Sequence, residues 1–296
     1  VLALPELRLA TSADVPAMLE VFFHAVEDLD VRRGRTPQPR RAAPLEMHFE
    51  HLLETDPGSA YVAEDHARTV AFGVVMRRDA AAFLSFLFVE PERQSRRLGR
   101  AVLEACLLGA GEGITAVATC AEADQPVSTG LYASTGLAPR LPLYLLSGTP
   151  RGDVLPELPA GVERRRLSGS ALAELDRAVV GYERPADHAW WAANRDGILY
   201  VDASGAPIGY GYAHGSGRVG PVAALDPAHL AAFVGDRIRG VAVLEGRQLI
   251  VPGHAITVLG PLLAAGMRIE ATPAVYCSSG GGPRFDRYLP MSFALI

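Results

Sequence analysis

One strand–turn–helix passage constrains this chain more than any other. It reads Phe86-Leu-Phe-Val-Glu-Pro-Glu-Arg-Gln-Ser-Arg-Arg-Leu-Gly-Arg-Ala-Val-Leu103. The apolar run Phe83 to Val89 has the composition of a buried strand, and Pro91 halts it. A short basic turn follows. A helix is expected from about Leu98, with Leu98, Ala101, Val102, Ala105 and Cys106 on the side that packs on a sheet. First-turn N–H groups have no partner inside their own helix, and the macrodipole adds partial positive charge. The turn is therefore suited to phosphate, and Arg93, Arg96, Arg97 and Arg100 strengthen the field around it.

The composition narrows the classes of function. At 296 residues the chain has room for two ordinary domains. Its 49% hydrophobic and 21% charged residues are those of a globular protein, and no apolar run has membrane-spanning length. A net charge of −5 argues against a general nucleic-acid binder. All 28 basic residues are arginine, so lysine self-acylation is excluded. Cys106, Cys120 and Cys277 fit no metal-ligand spacing. They read as reduced thiols of a cytoplasmic protein, and Val1 to Leu9 has no signal-peptide character.

The first half alternates strands and helices. A strand is expected at Glu6 to Thr11, then a helix capped by Asp14 that buries Val15, Met18, Leu19, Phe22 and Val26. An arginine-rich loop follows, in which Arg32, Arg33, Arg35, Arg40 and Arg41 form either a solvated surface or an entrance for an acidic molecule. A second helix covers about Leu45 to Glu54. Strands follow at Ala60 to Glu64, Thr69 to Arg77 and Phe83 to Val89, and beyond the turn and its helix come a strand at Ile114 to Cys120, a helix at Gln125 to Ser134 and a strand at Leu141 to Leu146.

Thr149 to Gly161 reads as a linker. The same order of elements then begins again, but the second turn reads Ala223-Ala-Leu-Asp-Pro-Ala-His-Leu230. Asp226 is expected to cap that helix, occupying its N–H groups and repelling phosphate. The run Tyr182 to Trp191 holds both tryptophans and His188, and is expected to pack in the core or to line a pocket. Gly280 to Gly282 precedes no helix and reads as a hairpin loop.

Two segments together resemble the GNAT superfamily of N-acetyltransferases. The first is Val89-Glu-Pro91 followed by Gln94-Ser95-Arg96-Arg97-Leu98-Gly99, against the family's Gln/Arg-x-x-Gly-x-Gly/Ala after a strand ending Val-x-Pro. The second is Gln125-Pro-Val-Ser-Thr-Gly-Leu-Tyr-Ala-Ser-Thr-Gly-Leu137, against Asn-x-x-Ala-x-x-Leu-Tyr-x-x-x-Gly-Phe. Arg97 replaces the family's first glycine. Its Cβ could block backbone approach to a phosphate, or its guanidinium could compensate with a charged contact. The sequence leaves both open.

The resemblance implies an α/β fold with a mixed sheet, arranged as two tandem GNAT-like domains. Each would have a central, mostly antiparallel sheet flanked by helices. Residues 1–148 would form the acetyltransferase domain, 149–161 the linker and 162–296 a degenerate copy. It implies acetyl-CoA as cosubstrate, held by Leu87, Phe88, Val89, Gln94, Ser95, Arg96, Arg97, Leu98, Gly99, Arg100, Gln125 and Ser128, and an amine as acceptor. Tyr132 would protonate the leaving thiolate. The base is harder to place. His24, Glu27 and Asp28 lie at the end of the first helix, and Ser85 stands where a hydroxyl could position a water; Glu27 and Ser85 are the expected catalytic partners of Tyr132. Cys120 has no neighbouring histidine and reads as a core thiol. No nucleic-acid or membrane partner and no metal is expected, and the protein is expected as a monomer or homodimer. The rival reading is an inactive acyl-CoA-binding or scaffold protein of the same fold.

Overall fold

Apolar strands interrupted by Pro and Gly must pair to satisfy their backbone groups, and their apolar faces must then be covered. The structure, a computed structural model, describes residues 5–94, 97–242, 246–270 and 272–296. The chain folds as two compact units that divide between Val117 and Ala118. The expected linker at 149–161 is thus not the division; it lies inside the second unit.

In the first unit β1 (Glu6–Leu9), β2 (Ala60–Asp65), β3 (Arg68–Arg78) and β4 (Ala81–Val89) form an antiparallel meander in that order. Helices α1 (Val15–Arg32) and α2 (Ala42–Thr55) bring Phe22 and Phe49 against Phe72, Phe86 and Phe88. Their ring centroids lie 4.7–6.5 Å apart. Burying rings of this size stabilises by about 2–3 kcal/mol each, which is enough to fix both helices on this sheet. Asp14 precedes α1, but its carboxylate does not cap that helix. It turns back to Thr11 and Arg8, the latter at 2.9 Å through one of its two bonds. The buried side of α1 is Val15, Met18, Leu19, Val21 and Ala25; Phe22 and Val26 are only half-buried.

Helix α3 (Leu98–Gly109) lies on β3, its placement permitted by Gly73. A Cβ on Gly73 would fall 2.8 Å from a Val102 methyl and 3.0 Å from the Cys106 sulfur. Sheet and helix therefore touch backbone to side chain at this point, and any larger residue would lift α3 and the turn before it.

The second unit contains β5 (Ala116–Glu122) from Ala118 onward, α4 (Pro126–Ser134) and β6 (Ala138–Gly148). Here β13 (Ala274–Ser278) lies between β5 and β6, antiparallel to both, and β11 (Arg247–Pro252) pairs with the other edge of β6, beside the short β12 (Arg268–Ile269). The expected first domain, 1–148, therefore does not close on its own: its last strand is paired on both sides by segments from the second half. The remaining strands form a separate antiparallel sheet in the order β14 (Tyr288–Leu289), β10 (Val219–Ala224), β9 (Pro207–Ala213), β8 (Asp196–Val201) and β7 (Glu163–Arg165).

Segment 149–161 has no regular structure, yet it is tied down. Leu155 is buried in the core, and Arg239 donates to the carbonyls of Gly152, Leu155 and Pro156 at 2.9–3.3 Å. Helices α5 (Gly169–Val179), α6 (Pro185–Asn194), α7 (Pro227–Gly240) and α8 (Ile256–Ala264) complete the unit. The tryptophan run forms α6, with Trp191 fully buried, so the core reading of that run holds for Trp191.

Candidate active site

The site residues of the first unit gather around β4 and the turn after it. Val74 of β3 pairs with Phe86 and Val75 pairs with Leu84, so Ser85 is an extra residue outside the ladder. Such a bulge re-aims side chains and frees backbone groups, and it is a frequent neighbour of functional sites. The Ser85 hydroxyl is buried and has no hydrogen-bond partner among the described residues. An unsatisfied buried hydroxyl costs about 1–3 kcal/mol, which a bound water or ligand group would recover.

Beyond Val89 the chain makes a 3-10 turn at Pro91–Arg93 and enters α3 through Arg97. Gln94 helps to hold this turn, its side-chain amide donating to the Val89 carbonyl at 3.2 Å. Arg97 has φ 63° and ψ 1°, the left-handed conformation that glycine adopts freely. The backbone path of a glycine turn is therefore kept, at a cost of about 1–2 kcal/mol for the side chain present. The Arg97 side chain is exposed and makes no ion pair among the described residues. The Arg97 side chain makes no capping hydrogen bond to α3, and none from another described residue is seen there. Leu98 is buried beneath the turn, while Leu87, Phe88, Val89, Gly99 and Arg100 are half-buried around it. Ser95 and Arg96 lie outside the described residues. Arg93 is paired with Asp65, which withdraws it from the turn's free charge.

The candidate bases are all engaged. Arg40 grips Glu27 through two bonds of 2.6 and 2.9 Å and holds its carboxyl below the ordinary value. Glu27 is thereby a weaker proton acceptor than a free carboxylate. Asp28 pairs with Arg32 at 2.8 Å. The His24 Nδ1 lies 3.2 Å from Glu90, a nearly fully buried carboxylate that also accepts from Arg68 at 2.9 Å. Glu90 is the middle residue of the Val-x-Pro signature and was not singled out in the sequence. A carboxylate directly after an apolar strand was the available signal.

In the second unit, Gln125 stands at the N-terminus of α4, and the Ser128 hydroxyl donates to its carbonyl at 3.2 Å. Tyr132 is buried on the same helix, hydrogen-bonded to the side chain of Thr119 and beside Cys120 and Cys277. Burial is the main cause that raises its phenol well above the ordinary tyrosine value, so it remains protonated and able to donate. Thr119, the one hydroxyl in the apolar strand β5, was also missed; a lone polar residue in such a run was its signal. Burial pushes the Cys106 thiol up to about 12 and raises Cys120 well above its ordinary value, so neither supplies a thiolate nucleophile.

The corresponding turn of the second unit is closed. Only Leu225 and Asp226 separate β10 from α7, and the Asp226 carboxylate accepts the Ala228 N–H at 2.8 Å. The expected cap is present.

The family model for the acetyltransferase (GNAT) family matches residues 23–137. The matched span includes the β4–α3 turn and Tyr132. Solved structures share the GNAT fold over nearly the whole chain. A proposed acetyltransferase of Pyrococcus horikoshii superposes with a TM-score of 0.78 at 19% identity, over 100% of this chain and 97% of its own. A GCN5-related N-acetyltransferase of Sphaerobacter thermophilus gives 0.63 at 19% identity, over 96% and 100%. A tandem GNAT protein from the clavulanic acid biosynthesis pathway gives 0.60 at 16%, over 94% and 99%. No curated protein sequence matches the chain. The fold is thus the tandem GNAT arrangement, and acyl transfer is the general chemistry of the family whose model matches residues 23–137. No helix among the described residues is long and apolar enough to cross a membrane, and no group of His, Cys, Asp and Glu among them could hold a metal ion.

Proposed function

We propose that this protein is an N-acetyltransferase that moves the acetyl group of acetyl-CoA directly to an amine. The observation that carries this reading is Arg97: the turn before α3 keeps the left-handed backbone of a glycine turn although a side chain is present, and that side chain does not cap the helix behind it. Backbone strain kept beside a helix N-terminus is a pointer to a ligand site. The Gln94 to Arg100 segment would hold the pyrophosphate with backbone N–H groups and the free Arg97 guanidinium. Leu87, Phe88 and Val89 would line the pantetheine arm.

In the reaction the neutral amine attacks the thioester carbonyl carbon, the C–S bond breaks, and the amine loses one proton while the thiolate gains one. Backbone N–H groups freed near the Ser85 bulge would polarise the carbonyl. A water held by the unpartnered Ser85 hydroxyl would take the amine proton, since Glu27 is bound to Arg40. Following the resemblance, Tyr132 would protonate the thiolate, a task suited to its raised pKa.

The test is calorimetric titration of acetyl-CoA, followed by thiol release across a panel of amines, for the wild type and Tyr132→Phe. Micromolar binding by both, with turnover slowed about a hundredfold or more in the variant, is the expected result. Wild type that fails to bind acetyl-CoA would sink the enzyme reading and favour a scaffold.

A further inference from the structure

One end of the second sheet gathers arginines that make no ion pair among the described residues. Asp196 of β8 pairs with Ala213 of β9, and Ala213 pairs with Val219 of β10. The strands alternate in direction, so the residues one step beyond this row are Arg195, His214 and Arg218. The His214 N–H donates to the Arg218 carbonyl at 2.9 Å, and a bridge carries the row on from Arg218 to Gln248. Four chain segments thus deliver two guanidiniums, an imidazole and an amide to one edge.

The guanidiniums have poor partners. Arg195 reaches the Gly220 carbonyl at 3.4 Å and the Met291 sulfur at 3.0 Å. The Arg218 side chain makes no hydrogen bond or ion pair among the described residues. Asp196, the carboxylate next in sequence to Arg195, is turned to Arg237 at 2.6 Å instead. Both arginines are half-buried. Burial lowers the pKa of each, and the Arg218 charge adds to the effect on Arg195. His214 accepts the Ser216 N–H on Nδ1 at 3.0 Å, which leaves its proton on Nε2, a further donor.

Half-buried like charges without an anion are costly, and proteins pair such groups. We infer that Arg195 and Arg218, with His214 beside them, form an oxyanion site that takes the phosphate or carboxylate group of a small molecule. The guanidinium fork matches either group bidentately. The site is independent of the acetyl-CoA reading, since every residue in it belongs to the second unit and none to the β4–α3 turn.

The test is calorimetry and thermal melting of the full chain with inorganic phosphate and, separately, malonate, on wild type, Arg195→Gln and Arg218→Gln. At least one anion should bind the wild type and bind each variant more than about tenfold more weakly. Without anion, Arg218→Gln should melt above the wild type, because a like charge is gone; with the anion the order should reverse. Phosphate alone would identify a phosphate ester as ligand, and malonate an organic acid. Phosphate held only at the β4–α3 turn would survive both substitutions, and that result overturns the proposal, as does a wild type that binds neither anion. Should Arg218→Gln not fold, Arg218→Lys keeps the charge without the fork and should still weaken binding.

Discussion

The two strand-to-helix turns of this protein occupy equivalent places in repeated halves and treat a helix N-terminus in opposite ways. The β4–α3 turn is long, basic and uncapped, and it holds an arginine in a glycine conformation. The β10–α7 turn is two residues long, and its aspartate satisfies the helix from within. The same contrast extends to the surrounding side chains. Around β4 a buried hydroxyl is left without a partner. Around α5 and α6 the charged groups close on one another, although the buried Trp191 Nε1 has no partner among the described residues: Arg184 grips Asp176 at 2.9 Å and bonds Tyr210 and Tyr288, while His188 bridges Asp176 and Tyr212. The first half keeps a buried hydroxyl open at its turn, and the second, in the α5–α6 region, has tied its charged groups into internal structure.

The strongest way to break this comparison is to open the closed network. Arg184→Leu leaves the Asp176 carboxylate buried without its cation, and chemical denaturation should show a loss of about 3–5 kcal/mol. Acetyl-CoA affinity per folded molecule should be unchanged. The network also sets a pH signature. Arg184 and His188 hold the Asp176 carboxyl well below its ordinary value of 3.8 despite burial. Its contribution is therefore fully present above that value and is lost only as pH falls below about 4. A wild-type melting temperature that declined steadily from neutral pH would contradict this assignment.

A second test exchanges the character of the turns. Arg97→Asp gives α3 the negative charge that α7 already carries, and acetyl-CoA should bind about thirty- to a hundredfold more weakly by calorimetry. Asp226→Ala should cost about 1 kcal/mol of stability from the lost cap and confer no acetyl-CoA binding, because the short turn still cannot wrap a diphosphate. The smallest effect is expected from Arg97→Gly. Relief of the left-handed side chain should raise stability by about 1 kcal/mol, while the missing guanidinium weakens acetyl-CoA binding by no more than about tenfold.

Both turns could be read from the sequence because their determinants are local: Pro91 and the arginines before Leu98 in one, Asp226-Pro227 in the other. Features set by distant pairing could not. The Ser85 bulge depends on the register of β3 against β4, and no residue in Phe83 to Val89 marks it. The insertion of β13 beside β6 joins segments more than a hundred residues apart, roughly, where the order of elements alone suggested a self-contained first domain. Asp14 was in the right place for a cap but turned back to Arg8, six residues before it on β1, a partner that helix-start rules do not consider. In the site, Glu90 and Thr119 escaped notice because their roles come from neighbours on other strands.

The pairing of β6 on both sides by later strands has a consequence for synthesis. Strands β1 to β4 pair with one another in chain order and can do so as soon as they leave the ribosome. Strand β6 emerges after β5 and must keep two unpaired edges exposed until residues 247–252 and then 274–278 have been made. That interval is when chaperones are most needed. A gene cut near residue 150, at the segment the sequence reads as a linker, would yield a fragment that never leaves it.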